Sequence, residues 1–175
     1  MTFERVGSET VWEGRIASVR VDQFRYDDGQ EAEREIVAHP GAVAIVAHDG
    51  ERLFLVRQPR EAVAEQGLLE LPAGKLDEEG EEPLDTAKRE LAEEIGKGAR
   101  TWEHLTSFYT SPGFADEECH VYLASDLYDE RAEVDDTERI EIVEAPLADL
   151  DDVIEGCRDS KTLVGLLWFR AYLRG

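Results

Sequence analysis

Apolar and polar residues alternate over positions 10–16 and again over 17–25, which is the twofold period of a half-buried strand. Asp28-Gly29 follows as a turn signal. Residues 33–39 alternate once more and end at His39-Pro40-Gly41. The run over 42–48 is different. It is continuously apolar, so it predicts a strand covered on both faces. Asp49-Gly50 turns the chain into a second apolar strand over 52–58, and the two read as a hairpin. A shorter apolar stretch at 68–71 precedes Pro72-Ala73-Gly74 and an acidic loop over 75–82.

The period changes after Pro83. Leu84, Ala87, Leu91 and Ile95 recur at helical spacing and form one apolar stripe. Pro83 suits a first helical position, where a missing N–H costs nothing. Gly96 and Gly98 end the pattern. Strands are predicted over 102–109 and 120–125 around a loop at 110–119, then an acidic loop over 126–138 and a short strand over 140–143. Helices are predicted over 149–155 and 161–173, the second with an apolar face of Leu163, Leu166, Leu167 and Phe169. There is no internal repeat or low-complexity linker. Strands interleaved with a few helices predict an α/β (α+β) domain with a mixed sheet.

The length of 175 residues is one domain's worth and enough to bury a core unaided by disulfides. Charge changes the picture more. Lys and Arg total 19 against 41 Asp and Glu, a net of −22. A protein that tracks nucleic-acid phosphates needs a basic face, and an anionic lipid surface would repel this chain, so neither is an expected partner. Lys75, Lys88, Lys97 and Lys161 are the only lysines. A carboxylate-rich, lysine-poor surface suits concentrated salt, where screening shortens to about 3 Å at 1 M. A halophilic source is therefore expected, with an acidic protein of ordinary salt as the plainer alternative. Cys119 and Cys157 form no C-x-x-C pair or zinc spacing. The N-terminus has no leader-like apolar stretch, and the apolar runs 42–47 and 163–169 are too short to span a bilayer. These features predict a cytoplasmic protein with free thiols.

The predicted helix carries the chemistry. In Arg89-Glu90-Leu91-Ala92-Glu93-Glu94, Glu90 and Glu94 stand one turn apart on one face, and Glu93 joins its edge. Three like charges repel, and in so acidic a chain such a triplet is ordinarily a solvated face. A hard divalent cation reverses the sign. Mg²⁺ takes oxygen ligands and keeps its remaining positions for water and substrate phosphates. Arg89, four residues before Glu93, could clamp it. A calcium loop starting at Asp77 fails, because its sixth position needs glycine and holds Glu82.

Gly74, Glu81, Arg89, Glu90, Glu93, Glu94 and Gly96 together resemble the signature box of the Nudix hydrolases. From Glu81 to Gly96 the spacing agrees without a gap. Gly74 stands one residue further from Glu81 than usual, and Lys97 occupies a position that is normally apolar. The resemblance implies an α/β/α sandwich with a mixed sheet, in which the box forms a loop, a helix and a loop. It implies hydrolysis of a nucleoside diphosphate linked to another group, with two or three Mg²⁺ ions (Mn²⁺ as an alternative). Carried over by position, Glu90, Glu93, Glu94 and the Ala73 carbonyl become metal ligands, Glu81 supports the loop and Arg89 orients the glutamates.

Further stretches resemble the ADP-ribose pyrophosphatases of that family: Arg57-Gln58-Pro59-Arg60, Glu70 through Lys75, and Ser111-Pro112-Gly113-Phe114 with its proline past the box. The likeness runs over residues 11–169. It implies an N-terminal β-strand region over 1–40 that pairs two chains into a homodimer, ahead of a catalytic domain over 41–175. It also implies substrate contacts from Arg57, Arg60, Glu70, Arg34, Glu35, Pro112 and Phe114. Pro59 departs from the family by standing where an aromatic is usual. The general base is implied to come from the late acidic segment, Glu138 first and Asp136 second, with Glu138 also a late metal ligand and Glu93 beside them. The implied reaction converts ADP-ribose to AMP and ribose 5-phosphate. Other nucleotide sugars, NADH and dinucleoside polyphosphates are alternative substrates, and a non-catalytic ADP-ribose sensor is the reading from another class.

Overall fold

The structure, a computed structural model, describes residues 2–130 and 139–175. The chain forms two compact units, Met1–Gly41 with Tyr109–Glu118, and Ala42–Phe108 with Cys119–Gly175.

In the first unit β1 (Phe3–Glu13), β2 (Ser18–Tyr26) and β3 (Glu31–Ala38) form an antiparallel sheet in that order. The first strand begins earlier than its alternation predicts, and residues 14–17 turn rather than extend, closed by the Gly14 N–H on the Ala17 carbonyl. Residues 109–118 lie against β3, where the Val37 N–H donates to the Phe114 carbonyl and the Asp116 N–H to Val37. Asp22 is buried and ionised at the centre of this sheet. Burial opposes its charge, but hydrogen bonds from Ser8, Arg20 and Arg5 outweigh that and hold its carboxyl below the usual range.

The second unit is built on β4 (Ala42–His48) and β5 (Arg52–Arg60). β6 (Glu65–Glu70) pairs with β5 and β7 (Ala73–Lys75) with β4, while β8 (Lys97–Tyr109), β9 (Glu118–Asp129) and β10 (Glu141–Pro146) complete a seven-stranded sheet. Its spine runs β10-β5-β4-β9-β8, with β4 and β9 parallel and β4 and β5 antiparallel, so the sheet is mixed. The helices are α1 (Pro83–Ile95), α2 (Leu150–Gly156) and α3 (Ser160–Leu173). Among the described residues no helix is long and apolar enough to cross a membrane.

The continuous apolar run of β4 explains the layering. Ala42, Ala44 and Val46 enter a core with Leu166 and Phe169 of α3 and Ile154 of α2. Val43, Ile45 and Ala47 enter a separate core with Ala87, Leu91 and Ile95 of α1. Burying each larger side chain contributes about 1.5–3 kcal/mol. The expected apolar face of α3 is corrected in one place: Leu167 is exposed, and Gly165 takes the packing position beside Leu166. A Cβ on Gly165 would sit 2.6 Å from Leu71 Cδ1, so helix and sheet approach too closely for a larger residue.

Other boundaries shift for tertiary reasons. Ala73-Gly74-Lys75 is a strand, since β4 offers it an edge. β8 starts at Lys97, immediately beyond the helix cap, and β9 runs on to Asp129 through the start of the expected acidic loop. Neither Cys119 nor Cys157 forms a disulfide among the described residues.

Candidate active site

α1 positions the carboxylates. Pro83 opens it, and Gly96 closes it with a left-handed φ of 67° and an N–H on the Ala92 carbonyl. The Ala87, Leu91 and Ile95 stripe is locked into the core, so the rotation of the helix is fixed. The adjoining face then presents Glu90, Glu93 and Glu94 at set angles.

Arg89 organises that face. Its Nη1 donates to Glu90 Oε1 at 2.8 Å and to Glu93 Oε2 at 3.1 Å. Its Nε and Nη2 reach Glu81 at 3.3 and 3.1 Å. The hydrogen bond with Glu81, followed by the charges of Glu90 and Glu93, outweighs burial and raises the guanidinium pKa further above its already high value. Glu81 is held below the usual carboxylate range, chiefly by Arg89 and also by the Thr86 hydroxyl at 2.9 Å. A single arginine thus ties the loop before α1 to two carboxylates on it.

Glu94 is turned the other way. It is buried, and its Oε2 accepts the Ala73 N–H at 3.0 Å. Gly74 is the next residue, and a Cβ there would lie 2.0 Å from Glu90 Cδ. The backbone of β7 therefore runs directly beneath both carboxylates. Ala73, Gly74, Glu81, Arg89, Glu90, Glu93 and Glu94 come together in one locality.

Among the described residues no three or more His, Cys, Asp or Glu side chains converge ready-made as a metal cage. Arg89 draws Glu90 and Glu93 to itself, and the Ala73 amide holds Glu94. The donor set available on rotation of these side chains is oxygen throughout, three carboxylates and a peptide carbonyl, which fits a hard divalent cation. The side-chain-free space at Gly74 fits it too, since a methyl group there would fill the ground that Glu90 uses.

Of the residues expected to touch substrate, Arg60 and Glu70 face each other across the β5–β6 hairpin. Arg60 donates from Nε and Nη2 to the two Glu70 oxygens at 2.6 and 2.7 Å, a bidentate pair in which Glu70 is fully buried. The pairing with Glu70 outweighs burial and raises the Arg60 pKa. Glu70 thus aims Arg60 and keeps its own oxygens occupied. Arg57 is paired with Glu141 of β10 at 3.3 Å. Glu138 and Asp136 lie outside the described residues.

The remaining four gather in the first unit. Arg34, Glu35, Pro112 and Phe114 line one cavity of about 300 Å³ with Phe24 and Tyr26. The Arg34 Nη2 donates to the Tyr26 hydroxyl at 3.2 Å. Arg20 and Asp116, which also line this cavity, pair at 2.8 Å and fix the residue 109–118 segment to β2. Arg20 and Phe24 gave no sequence signal because strand alternation already accounted for them, and Tyr26 and Asp116 because they stand beside a turn and in a loop whose return to the sheet is a long-range pairing. His39 and His120 serve local structure: His39 Nδ1 accepts the Gly41 N–H at 3.1 Å, and His120 Nδ1 meets the Ser107 hydroxyl at 2.8 Å.

Residues 37–163 match the NUDIX domain. The chain is 40% identical over 170 residues to an ADP-ribose pyrophosphatase of Bacillus subtilis, covering 94% of this chain and 91% of that one. It is equally similar, 40% over 170 residues with the same shares, to the methanol dehydrogenase activator of Bacillus methanolicus. Among solved structures it resembles an ADP compounds hydrolase with a TM-score of 0.87 and 27% identity, covering 100% of this chain and 96% of the other.

Proposed function

Since this chain belongs to the NUDIX family, and is a hydrolase of that family, we propose that it hydrolyses the diphosphate linkage of ADP-ribose to AMP and ribose 5-phosphate. The observation that carries this reading is the pair Glu90 and Glu93 held by Arg89, with Glu94 held by the Ala73 amide, over the Ala73-Gly74 backbone. Similarity to an ADP-ribose pyrophosphatase over most of both chains supports the substrate.

The three glutamates and the Ala73 carbonyl would hold divalent cations, Mg²⁺ or Mn²⁺, two or three in number. Such cations, when bound, neutralise the diphosphate and acidify the attacking water. The protein's own residues supply the rest. Arg89 offsets the repulsion between Glu90 and Glu93 and holds both in place. Arg60, held by Glu70 at Nε and Nη2, offers its remaining guanidinium N–H groups to a phosphate oxygen. The cavity between Phe24, Tyr26 and Phe114 suits the face of a nucleobase, with Arg34 and Glu35 for its polar edge. A carboxylate of the late acidic segment, Glu138 before Asp136, takes the proton from water as it attacks phosphorus.

Residues 1–40 are read as a dimerising region. β1 is an edge strand with Phe3, Val11 and Trp12 exposed, and the turn after it exposes Ile16. A long apolar edge is an open template unless another chain covers it. A homodimer formed there predicts that Trp12→Glu sediments as a monomer. The charge of −22 supports a cytoplasm of high salt, and melting temperatures that rise between 0.1 and 2 M KCl would bear this out.

The test is a product assay with Mg²⁺ that offers ADP-ribose beside NADH, GDP-mannose, UDP-glucose and diadenosine polyphosphates. The highest kcat/KM on ADP-ribose, with AMP and ribose 5-phosphate formed and activity abolished in Glu94→Gln, is expected. Preference for another of these compounds keeps the hydrolase and discards the substrate. Tight ADP-ribose binding without turnover of any of them makes the protein a sensor.

A further inference from the structure

The Leu71-Pro72-Ala73 peptide run is pinned at three successive groups. The Leu71 N–H donates to Thr162 Oγ1 at 2.8 Å. The Pro72 carbonyl accepts the Ile45 N–H at 2.8 Å. The Ala73 N–H donates to Glu94 Oε2 at 3.0 Å. Two of the pins have plain sources, the edge of β4 and the glutamate itself. The third comes from α3, far along the chain, through a buried threonine.

Thr162 is set up for this by Asp159, the N-cap of α3. Asp159 Oδ2 accepts the Thr162 N–H at 2.9 Å and its hydroxyl at 2.8 Å. Burial works against the Asp159 charge, but Lys161 Nζ at 3.1 Å and the Thr162 hydrogen bonds hold its carboxyl below the usual range. An ionised carboxylate only accepts, so the Thr162 proton must point to Asp159. The lone pairs of Oγ1 are thereby left facing Leu71. The cap thus fixes the direction of the hydroxyl as well as the start of the helix. Pro72 has no N–H, so Leu71 provides the nearest amide by which the run can be tethered upstream of Ala73.

We infer that Asp159 and Thr162 are positioning residues for the carboxylate site. They fix Leu71 and, through the short run to the Ala73 amide, set where the Glu94 carboxylate lies. The inference rests on the reading of Glu94 as a cation ligand only for its effect on cation affinity. Its effect on the peptide run stands without it.

Thr162→Val keeps the shape and removes the acceptor, while Thr162→Ser keeps the acceptor. Amide exchange in the metal-free proteins and Mn²⁺ binding followed by paramagnetic resonance are the two measurements. In Thr162→Val the Leu71 and Ala73 amides are expected to exchange at least about tenfold faster, with Leu55 and Val121 in the core unchanged. Mn²⁺ affinity is expected to fall about tenfold, the usual scale for partners that orient ligands. Thr162→Ser restores both. A role confined to holding α3 in place would speed exchange throughout the core and leave the Ala73 amide no worse than its neighbours. That result, or wild-type protection at Ala73 in a folded Thr162→Val, overturns the inference, as does failure of serine to rescue. Should Thr162→Val not fold, Asp159→Asn replaces it and is expected to speed Ala73 exchange in the same direction; unchanged exchange there also overturns it. Absence of Mn²⁺ binding by the wild type would strike the carboxylate reading, and the exchange measurement would still decide the positioning role.

Discussion

Gly74 and Glu90 approach so closely that a Cβ on the glycine would stand 2.0 Å from the glutamate Cδ. No rotamer change at position 74 relieves this, because the Cβ is fixed by the backbone. Glu90 would have to move instead. Gly74→Ala should therefore fold, since the methyl group meets a side chain rather than backbone, yet lose activity. A displacement of about 1 Å at a reacting site typically costs about a hundredfold. Turnover falling by about that factor with an unchanged circular dichroism spectrum is the expected outcome.

Arg89 joins three glutamates with one planar group. A lysine has the charge without the fork and cannot span Glu81, Glu90 and Glu93 together. Arg89→Lys should need about tenfold more Mg²⁺ for half-maximal activity, a shift that titrating the metal at fixed substrate would show. Equal metal requirements in the two proteins would mean that the arginine serves stability alone.

Glu70 is buried and holds Arg60 at both of its oxygens. Glu70→Gln keeps the volume and loses the bidentate charge pair. If Arg60 binds the diphosphate in ground and transition states alike, its release should raise KM by about fivefold and leave kcat nearly unchanged. Steady-state kinetics on ADP-ribose separate the two parameters. A loss confined to kcat would give Arg60 a role in the chemical step.

Asp49 closes the β4–β5 hairpin. Burial disfavours its charge, but the backbone N–H groups of Arg52 and Glu51 and the Arg52 guanidinium outweigh that and lower its pKa from 3.8 to about 2. The folded value lies below the unfolded one, so the stabilisation is complete above about pH 4. It fades as pH falls toward 2. Asp49 is exposed and solvent screens its ion pair, so Asp49→Asn should be less stable at neutral pH by at most about 1 kcal/mol, with the gap closing as pH falls toward 2. Denaturant unfolding at pH 7, 4 and 2.5 measures this directly.

The sequence made some of this legible and hid the rest for definite reasons. β4 was readable because a strand covered on both faces has no polar side, and α1 because Pro83, Gly96 and the Leu91 stripe agree with one another. Glu90, Glu93 and Glu94 were readable because helical spacing is local. β7 was not readable, since Ala73-Gly74-Lys75 has no strand propensity and is extended only because β4 offers an edge. Thr162 gave no signal at all. Its hydroxyl acts on Leu71, 91 residues earlier, and only the packing of α3 on the sheet brings them together. The cavity between Phe24, Tyr26 and Phe114 depends on residues 109–118 returning to β3, a long-range pairing that alternation does not encode.

The abrupt end of α1 carries a consequence for tolerance to length. The left-handed turn at Gly96 leads straight into β8 at Lys97, and the other side of the helix is keyed into the core. One residue inserted between Arg89 and Gly96 would swing the following carboxylates through about 100° and bury some of them against Val43 and Ile45. The helix can accept exchanges of side chain but no change of phase. The exposed stretch of residues 77–80 before it has no such constraint, and it is there that the chain holds one residue more than the usual pattern. Insertions and deletions should therefore be fatal on one side of Glu81 and nearly silent on the other.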